Sequence, residues 1–361
     1  MTAALALLLD SYRELNSRKL FWLTLLLSVV IDCLLLLIGI TPDKHLSLLW
    51  LHTPFPVMPS TTLSVLLKQT YIIIGINLWL TWAATILALI STASIFPDFI
   101  SGGSIDLVLA KPIGRLRLFL LKYLTGLLFV GMQVGAFSVV AFVIIGLRSG
   151  AWEPGLLLAV PLVLVFFSYL FAVCVLLGLL TRSTIASLLL TILFWLFLFL
   201  MNTADKAMLM PHVTNDLYVE KLEARLATAQ QQSDSGSAQR TAGLEKELAE
   251  ARSDRDAIRR WHGYILAVKT PLPKTDDTMN LLVHRVIAAA HLSEEQPEDD
   301  QHQLPFLTFK MRAAGVRVTE VLERFESVQR SRTLPWVLGT SLIFEGVVLA
   351  LAAWIFCRRD F

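Results

Sequence analysis

The sequence predicts an all-α integral membrane protein with six transmembrane helices and a helical extracytoplasmic domain between the fifth and the sixth. Of the 361 residues, 55% are hydrophobic and only 17% are charged, with a mean hydropathy of +0.64, which is unusual for a soluble domain. The apolar residues are concentrated in long stretches, and a charged interval at 203–335 separates the last stretch from the others. The formal net charge of +2 gives no reason to expect a nucleic-acid partner.

Six apolar stretches are long enough to cross the hydrocarbon core of a bilayer, which takes about 20 helical residues. Lipid offers no hydrogen-bond partner to the backbone, and the stretches lack the strict alternation of barrel strands, so we expect helices. The predicted spans are 21–40, 71–95, 123–146, 156–180, 184–202 and 336–357.

Residues 1–20 precede the first predicted span and carry apolar side chains at helical spacing opposite charged ones. This pattern is typical of an amphipathic helix that lies on the membrane, here on its cytoplasmic surface. The alternative is a cytosolic extension of the first span.

Positively charged residues are unevenly divided between the two ends of the predicted spans. Because cytoplasmic loops carry an excess of Lys and Arg, the richer end is predicted to face the cytoplasm. That end has ten, namely Arg13, Arg18, Lys19, Lys111, Arg115, Arg117, Lys122, Arg182, Arg358 and Arg359. The opposite end has three, namely Lys44, Lys68 and Arg148. We therefore expect a multi-pass protein of the cell (inner) membrane with both termini in the cytoplasm and 203–335 outside.

The segment 203–335 is predicted to form the helical extracytoplasmic domain. Two charged stretches with apolar residues at helical spacing flank a polar turn, which indicates an antiparallel helical hairpin at 213–262. Further helices are predicted near 276–292 and 305–330, and 336–361 forms the last span and a cytoplasmic tail.

Residues 97–122 connect the second and third predicted spans on the cytoplasmic side. The stretch GGSIDLVLAKPIGR begins with Gly102 and Gly103, which permit a tight bend, and Pro112 ends a short apolar helix, Ile105–Ala110. We expect this helix to be held at the inner face of the membrane. On residue types alone, the alternative is an ordinary loop whose basic residues mark the membrane boundary.

The order of residues in this loop resembles the cytoplasmic loop of permease subunits of ATP-binding-cassette exporters of the second type. The resemblance is carried by Gly103, Ser104, Ile105, Asp106, Leu107, Val108, Leu109, Ala110, Lys111, Pro112, Ile113, Gly114, Arg115 and Lys122. Asp98 is the nearest match to the glutamate that precedes the glycines in that family. The interval 203–335 is longer than the corresponding connection in many members.

The resemblance implies that this chain pairs with a second permease chain, most simply a copy of itself, and with cytoplasmic ATPase subunits. The loop helix would dock on the ATPase, and its coupling residues would be Asp98, Gly102, Gly103, Asp106, Lys111, Pro112, Arg115 and Arg117. ATP and Mg would be bound by the partner subunit, because no Gly-x-x-x-x-Gly-Lys-Ser/Thr loop occurs in this sequence. The chain itself would be a transport subunit, not an enzyme, without a cofactor or metal of its own.

Two acidic residues, Asp32 and Glu345, lie near the middle of predicted spans, where a carboxylate costs a few kcal/mol. One hypothesis is that they line the translocation path or bind a proton or cation there, close to one another. The alternative is that each is protonated and hydrogen-bonded to Asn77, Gln133 or a hydroxyl of a neighbouring helix.

A methionine-rich stretch follows the fifth predicted span and ends in a histidine: Met201, Met208, Met210 and His212. Thioether and imidazole groups are ligands that Cu(I) accepts. Because methionine at a membrane boundary more commonly serves packing, we predict no metal site here.

These observations together predict the permease subunit of an ATP-driven exporter whose outer domain engages cargo or an envelope partner. The alternative is a membrane-anchored scaffold that presents the helical outer domain to envelope proteins. The cytoplasmic loop discriminates between the two, since a scaffold has no use for a shaped coupling helix. No motif specifies the cargo.

Overall fold

The computed structural model describes residues 19–41, 45–48, 51–56, 62–101, 114–150, 152–231, 237–289, 311, 313–330 and 334–358. The predicted amphipathic helix at 1–20 therefore lies almost entirely outside the described residues. The acidic loop expected between the helices at 276–292 and 305–330 lies outside them as well.

The described part of the chain is almost entirely helical. It begins with helix α1, Lys19–Leu37, and a small sheet of β1, Ile38–Ile40, β2, His45–Leu48, and β3, Leu51–Pro56. A long helical stretch follows, made of α2, Leu63–Thr70, a π-helical segment, Tyr71–Ala84, α3, Thr85–Thr92, and α4, Ile95–Ser101. The next elements are α5, Arg115–Ser149, a 3₁₀ turn, Pro154–Leu158, α6, Ala159–Thr181, and α7, Thr184–Gln231. The chain continues with α8, Ser237–Lys269, α9, Thr275–Ala289, α10, Val318–Arg330, and α11, Leu334–Arg358.

These elements form two compact units. The first unit comprises Met1–Trp195, Thr275–Ser293 and Ser341–Phe361, and the second comprises Leu196–Lys274 and Glu294–Thr340. Helices α7 and α11 each contribute residues to both units, and the two segments of the second unit are separated in sequence by α9 of the first.

Five helical stretches in the described ranges are long and apolar enough to cross a membrane: Leu63–Ile100, Arg115–Ser149, Pro154–Thr181, Thr184–Gln231 and Pro335–Arg358. They coincide with the second to sixth predicted spans. The first prediction corresponds to a shorter apolar helix, Phe21–Leu37. Large apolar side chains such as Leu147 (73% exposed) and Ile185 (71% exposed) cover the outside of these helices, as lipid contact requires. The chain is an all-α membrane protein by its helix lengths and composition.

A small antiparallel sheet follows α1, which the sequence analysis did not predict. Strand β2 pairs with β1 through Ile38 opposite Leu48, and with β3 through Leu48 opposite Leu51. Its strands are short and β3 contains two prolines, so the local sequence carries little strand signal. The sheet occupies part of the connection between the first and second predicted spans.

The second predicted span contains a 14-residue π-helical segment. Its side-chain hydrogen bonds reach back five residues, from Thr81 to the carbonyl oxygen of Ile76 and from Thr85 to that of Leu80, both at 2.8 Å. Its buried side recurs at intervals of four residues, which differs from the 3.6-residue period of an α-helix. This widened turn presents Tyr71 and Gly75 toward Phe137 of α5, with the two rings 5.9 Å apart.

Helices α5 and α6 form the densely packed centre of the first unit. Tyr123 of α5 stacks on Phe171 of α6 at 5.1 Å, and a Cβ atom at Gly126 would lie only 2.5 Å from the Phe171 ring. Such close approach is how helices associate in lipid, where apolar surface alone provides no driving force. Helix α5 ends at Gly150, whose φ of 71° suits glycine at a helix C-terminus.

Two of the three basic residues at the end predicted to face outward have polar partners in the first unit. The ammonium group of Lys68 forms a largely buried ion pair with Glu153, which precedes the 3₁₀ turn. The guanidinium group of Arg148 donates to the carbonyl oxygens of Leu35 and Leu36 at 2.8 and 2.9 Å. Arg148 therefore satisfies carbonyl groups that the end of α1 leaves without intrahelical partners.

Helix α9 packs against α6, the 3₁₀ turn and the π-helical segment, and it belongs to the first unit. The sequence analysis placed it in the continuous outer segment 203–335. Its apolar face, which includes the buried Met279 and Leu282, accounts for the difference, since it covers membrane-unit helices.

The second unit is built on two long antiparallel helices, α7 and α8. Contacts join Asp205 to His262 and Tyr218 to Glu247, so residue numbers rise along α7 as they fall along α8. Helix α7 runs for 48 residues, so the first arm of the predicted hairpin continues the fifth span without a break. The third helix, α10, adds Val321 to a shared core with Leu222 and Leu248.

A buried ionic group ties α7 to α8. Asp205, only 1% exposed, accepts hydrogen bonds from Lys269 at 2.7 Å and lies 2.9 Å from Nε2 of His262. Lys274, also buried, donates to Thr340 at 2.7 Å and lies 4.2 Å over the ring of Trp336. These contacts hold the end of the hairpin and the start of α11 together within the second unit.

We predict that Asp205→Ala destabilises the second unit by about 3–5 kcal/mol, because Lys269 is left as a buried charge without its carboxylate. Thermal unfolding of the purified chain in detergent, followed by limited proteolysis of 196–274, measures the effect. The matched control is Glu223→Ala, which removes an exposed partner of Arg252 at 2.7 Å and should change stability by at most about 1 kcal/mol. Equal effects of the two substitutions would contradict the prediction.

Candidate functional site

The central residues of the predicted coupling loop lie outside the described residues. Gly102, Gly103, Asp106, Lys111 and Pro112 are among them, so the expected loop helix stays a prediction. The segments on either side are described and form what we call the loop base. It consists of α4, Ile95–Ser101, and the first turns of α5, which begins at Arg115.

Three aromatic rings connect the loop base to the last helix. The ring of Phe96 on α4 lies 5.2 Å from that of Phe119 on α5, and Phe119 lies 5.8 Å from Phe356 on α11. The third pair, Phe96 and Phe356, meets edge to face at 6.4 Å. All three side chains are at most 2% exposed. Aromatic pairs of this geometry contribute about 0.5–1.5 kcal/mol beyond the area they bury.

Polar contacts reinforce the same junction. Arg115 donates to the carbonyl oxygen of Cys357 near the end of α11 at 3.2 Å, and Lys122 lies 5.2 Å from the ring centre of Phe99 on α4. The predicted coupling residues Asp98 and Arg117 are exposed at the surface of the loop base. Of the coupling residues that the structure describes, Arg115 therefore contacts the last helix, whereas Asp98 and Arg117 are exposed.

Small residues let α4 approach α6 closely. A Cβ atom at Gly178 of α6 would lie 3.3 Å from the ring of Pro97, and one at Gly126 of α5 would lie 3.3 Å from Ile95. Helix α4 is therefore wedged between α5 and α6 with little free space. Packing this close leaves α4 little room to move independently of α5 and α6, since packed interiors deform little.

Glu345 on α11 is buried, and each of its carboxyl oxygens has a hydroxyl partner. The hydroxyl of Tyr123 donates to Oε1 at 2.7 Å, and that of Ser168 donates to Oε2 at 2.8 Å. These bonds join α11 to both α5 and α6. Of the partners named in the hydrogen-bonded alternative for Glu345, the structure shows hydroxyl groups of neighbouring helices.

Asp32 on α1 has a different environment. It is 1% exposed, and neither carboxyl oxygen has a hydrogen-bond partner among the described residues. It borders a cavity of about 10 Å³ that is also lined by Thr70, Tyr71 and Phe137. A cavity of this size is at the lower limit for one water molecule.

The two carboxyl groups do not share one site. Glu345 contacts Tyr123, whereas the cavity beside Asp32 is lined by Phe137, which is 14 residues further along α5. At a rise of 1.5 Å per residue, these positions are roughly 21 Å apart along the helix axis. The expectation that Asp32 and Glu345 lie close to one another is therefore not met.

The aromatic and hydroxyl residues that connect α4, α5, α6 and α11 were not predicted from the sequence. The rings of Phe96, Phe119 and Phe356, like the hydroxyls of Tyr123 and Ser168, belong to spans far apart in sequence. Apolar spans contain many such residues, so only a carboxylate in the same span, as at Glu345, signals that polar partners are needed. Met210 of the methionine-rich stretch packs on the core of the second unit.

No group of three or more His, Cys, Asp or Glu side chains is arranged to hold a metal ion within the described ranges. No family model, curated protein or solved structure matches this chain. The helices and the buried contacts between them thus define its class, a membrane-embedded all-α protein.

We predict that Tyr123→Phe destabilises the first unit by roughly 1–3 kcal/mol, because one oxygen of buried Glu345 loses its donor. In a Glu345→Leu background the same substitution should cost much less, so the double-mutant cycle should show an interaction energy of about 0.5–3 kcal/mol. Thr125→Val is the matched control, since the Thr125 hydroxyl has its hydrogen bond within α5, to the carbonyl oxygen of Leu121 at 2.8 Å. Additive effects in thermal unfolding would show that the contact does not stabilise the unit.

Proposed function

We propose that this chain is the permease subunit of an ATP-driven exporter of the ATP-binding-cassette type. In this proposal a separate cytoplasmic ATPase supplies the energy, and a second permease chain completes the complex. The observation that carries it is the loop sequence GGSIDLVLAKPIGR between two helices whose buried rings, Phe96 and Phe119, contact Phe356 of the last helix. ATP and Mg belong to the partner subunit in this arrangement.

The proposed topology has six spans in the cell (inner) membrane, with both termini in the cytoplasm. Helix α1 counts as a span because its 17-residue apolar stretch from Phe21 to Leu37 gives roughly 25 Å of helix, which a locally thinned bilayer accommodates. Lys68 and Arg148 then lie at the outer end together with the sheet. The second unit, which has its own core, is the extracytoplasmic part that engages cargo or an envelope partner.

The proposed mechanism begins at the loop. Nucleotide-driven closure of the ATPase moves the docked loop, and the loop base carries the displacement into the spans. Phe96, Phe119 and Phe356 make α4, α5 and α11 move together, since their buried rings leave no space for sliding. Movement of one packed body against the rest is a common way to switch a helical bundle between two states.

Within the spans, we assign different roles to the two carboxyl groups. Glu345 has hydroxyl partners on both oxygens and holds the moving helices together. Asp32 has none among the described residues, and an ionised carboxylate in such surroundings is costly, so it carries a proton in this state. Opening of the bundle beside Asp32 would let that proton exchange, which makes Asp32 the candidate for a path residue.

The first test is a pull-down of the full chain from detergent-solubilised membranes, followed by an ATPase assay of the eluate. We expect an ATPase to co-purify with the wild type and to be lost from the Asp106→Arg, Pro112→Ala double variant, because both changes alter the docking helix. Glu223→Arg, an exposed charge reversal in the second unit, is the control and should leave the ATPase bound. If the wild type brings down envelope proteins and no ATPase, the chain is a membrane-anchored scaffold.

A second test separates docking from transmission. Phe119→Leu should retain the ATPase but weaken the energetic coupling between the ATPase and the spans by about 0.5–2 kcal/mol. We expect a roughly two- to thirtyfold change in ATP hydrolysis by the complex. Phe129→Leu is the matched control, because Phe129 is equally buried on α5 but contacts Phe21 on α1, at 4.9 Å, instead of the loop base. Equal effects of both substitutions would refute a special role of the loop base.

A further inference from the structure

The second unit contains a cavity that plays no part in the proposed coupling. Its volume is about 420 Å³, which falls within the range of about 300–1,000 Å³ found for small-molecule sites. Helices α7, α8 and α10 all contribute to its wall. The lining residues are Leu209, His212, Val213, Asp216, Arg259, His262, Gly263, Leu266, Arg324 and Val328.

The charges that face the cavity are mostly positive. Arg259 from α8 and Arg324 from α10 have no ion-pair partner in the part of the chain that the structure describes. Asp216 from α7 is the opposing carboxylate, and it is 47% exposed and 3.6 Å from Nε2 of His212. Two exposed guanidinium groups and the imidazole of His212 therefore share the cavity with one partly solvated acid, Asp216.

The two imidazole groups are oriented by their neighbours. Their ring centres are 5.4 Å apart. Asp205 lies 2.9 Å from Nε2 of His262 and also accepts from Lys269, so Nε2 of His262 donates and Nδ1 is left for another partner. Nδ1 of His212 is buried without a hydrogen-bond partner among the described residues. One buried ring nitrogen, Nδ1 of His212, thus remains to be satisfied at this cavity.

We propose that this cavity binds the tetrahedral oxyanion group, phosphate or sulfate, of a small amphiphilic molecule. Guanidinium groups bind such oxyanions through paired hydrogen bonds, and imidazoles add further donors when protonated. The apolar wall formed by Leu209, Val213, Leu266 and Val328 suits an attached alkyl or similar group. The site is independent of the exporter proposal, because it involves no residue of the loop base.

Binding is expected to be linked to proton uptake. Burial lowers the pKa of His212, and the positive charges of His262, Arg259 and Arg255 lower it further, while Asp216 raises it. The histidine is therefore neutral above its ordinary pKa of about 6.5 and becomes charged only at lower pH. A bound oxyanion counteracts the positive neighbours, so protonation and binding favour each other.

The test is isothermal titration calorimetry with the full chain in phosphatidylcholine nanodiscs and octyl phosphate as the probe. We expect saturable binding that is weakened roughly tenfold or more in the Arg259→Gln, Arg324→Gln double variant, since charge-assisted hydrogen bonds are lost. Asp216→Asn should bind about two- to fivefold more tightly because an opposing, partly screened charge is removed. This gain of affinity cannot arise from misfolding.

Three control measurements complete the design. Arg252→Gln, an exposed arginine of α8 that is not part of the cavity wall, should leave binding unchanged. Inorganic phosphate alone should bind more weakly than octyl phosphate, and octyl glucoside should not compete. Equal binding of octyl phosphate to wild type and the double variant, or equal binding of octyl glucoside, would overturn the proposal.

The pH arm uses octyl sulfate, because the charge of a sulfate ester does not change between pH 8 and pH 6, whereas a phosphate ester titrates near pH 6. Binding should tighten about threefold between these values in the wild type and by a smaller factor in His212→Gln, because one of the two imidazoles at the cavity is removed. Identical pH profiles of the wild type and His212→Gln would exclude the His212 imidazole as a contact of the bound sulfate.

A final arm distinguishes a lipid headgroup from a soluble ligand. Phosphatidic acid added to the nanodiscs competes with octyl phosphate if the natural source is a lipid headgroup, and it leaves the wild-type affinity unchanged if the source is a soluble phosphate ester. Both outcomes support the oxyanion site.

Discussion

The two hydroxyl bonds to Glu345 are the contact on which the membrane unit depends most. Helix α11 returns to this unit after the whole second unit has intervened in the sequence, and only 28% of its most apolar stretch is buried, compared with 72% for α6. Lipid does not drive apolar helices together, so close packing and hydrogen bonds must hold α11 in place. Tyr123 and Ser168 supply those bonds from the two central helices, α5 and α6.

The second unit is stabilised by different interactions. Its core of apolar side chains on α7, α8 and α10 follows the amphipathic pattern of a water-exposed helical bundle. The buried carboxylate of Asp205 is paired with Lys269 there, because an unpaired ion is too costly in a protein interior. Helix α7 contributes to both units without a break. A helix satisfies its own backbone hydrogen bonds, so it can continue from an apolar into a polar environment.

The sequence was sufficient for the features that depend on local composition. Five apolar runs coincide with long apolar helices. It was insufficient where the outcome depends on contacts between distant segments. The π-helical turn that brings Tyr71 to Phe137, the sheet after α1, and the packing of α9 on the first unit are examples. The site shows the same division, because Glu345 was visible as a costly charge but its partners Tyr123 and Ser168 were not.

The contacts between α5 and α11 constrain any motion that begins at the loop. The first turns of α5 meet α11 at three successive points, where Arg115 contacts Cys357, Phe119 contacts Phe356, and Tyr123 contacts Glu345. Contacts at three levels of α5 resist sliding, so under the proposed function we expect α5 and α11 to move together. A displacement of the loop therefore changes the position of α11 relative to the helices that it does not contact. Under the proposed function, this makes the last helix, and not only the helices next to the loop, a direct receiver of the energy of ATP hydrolysis.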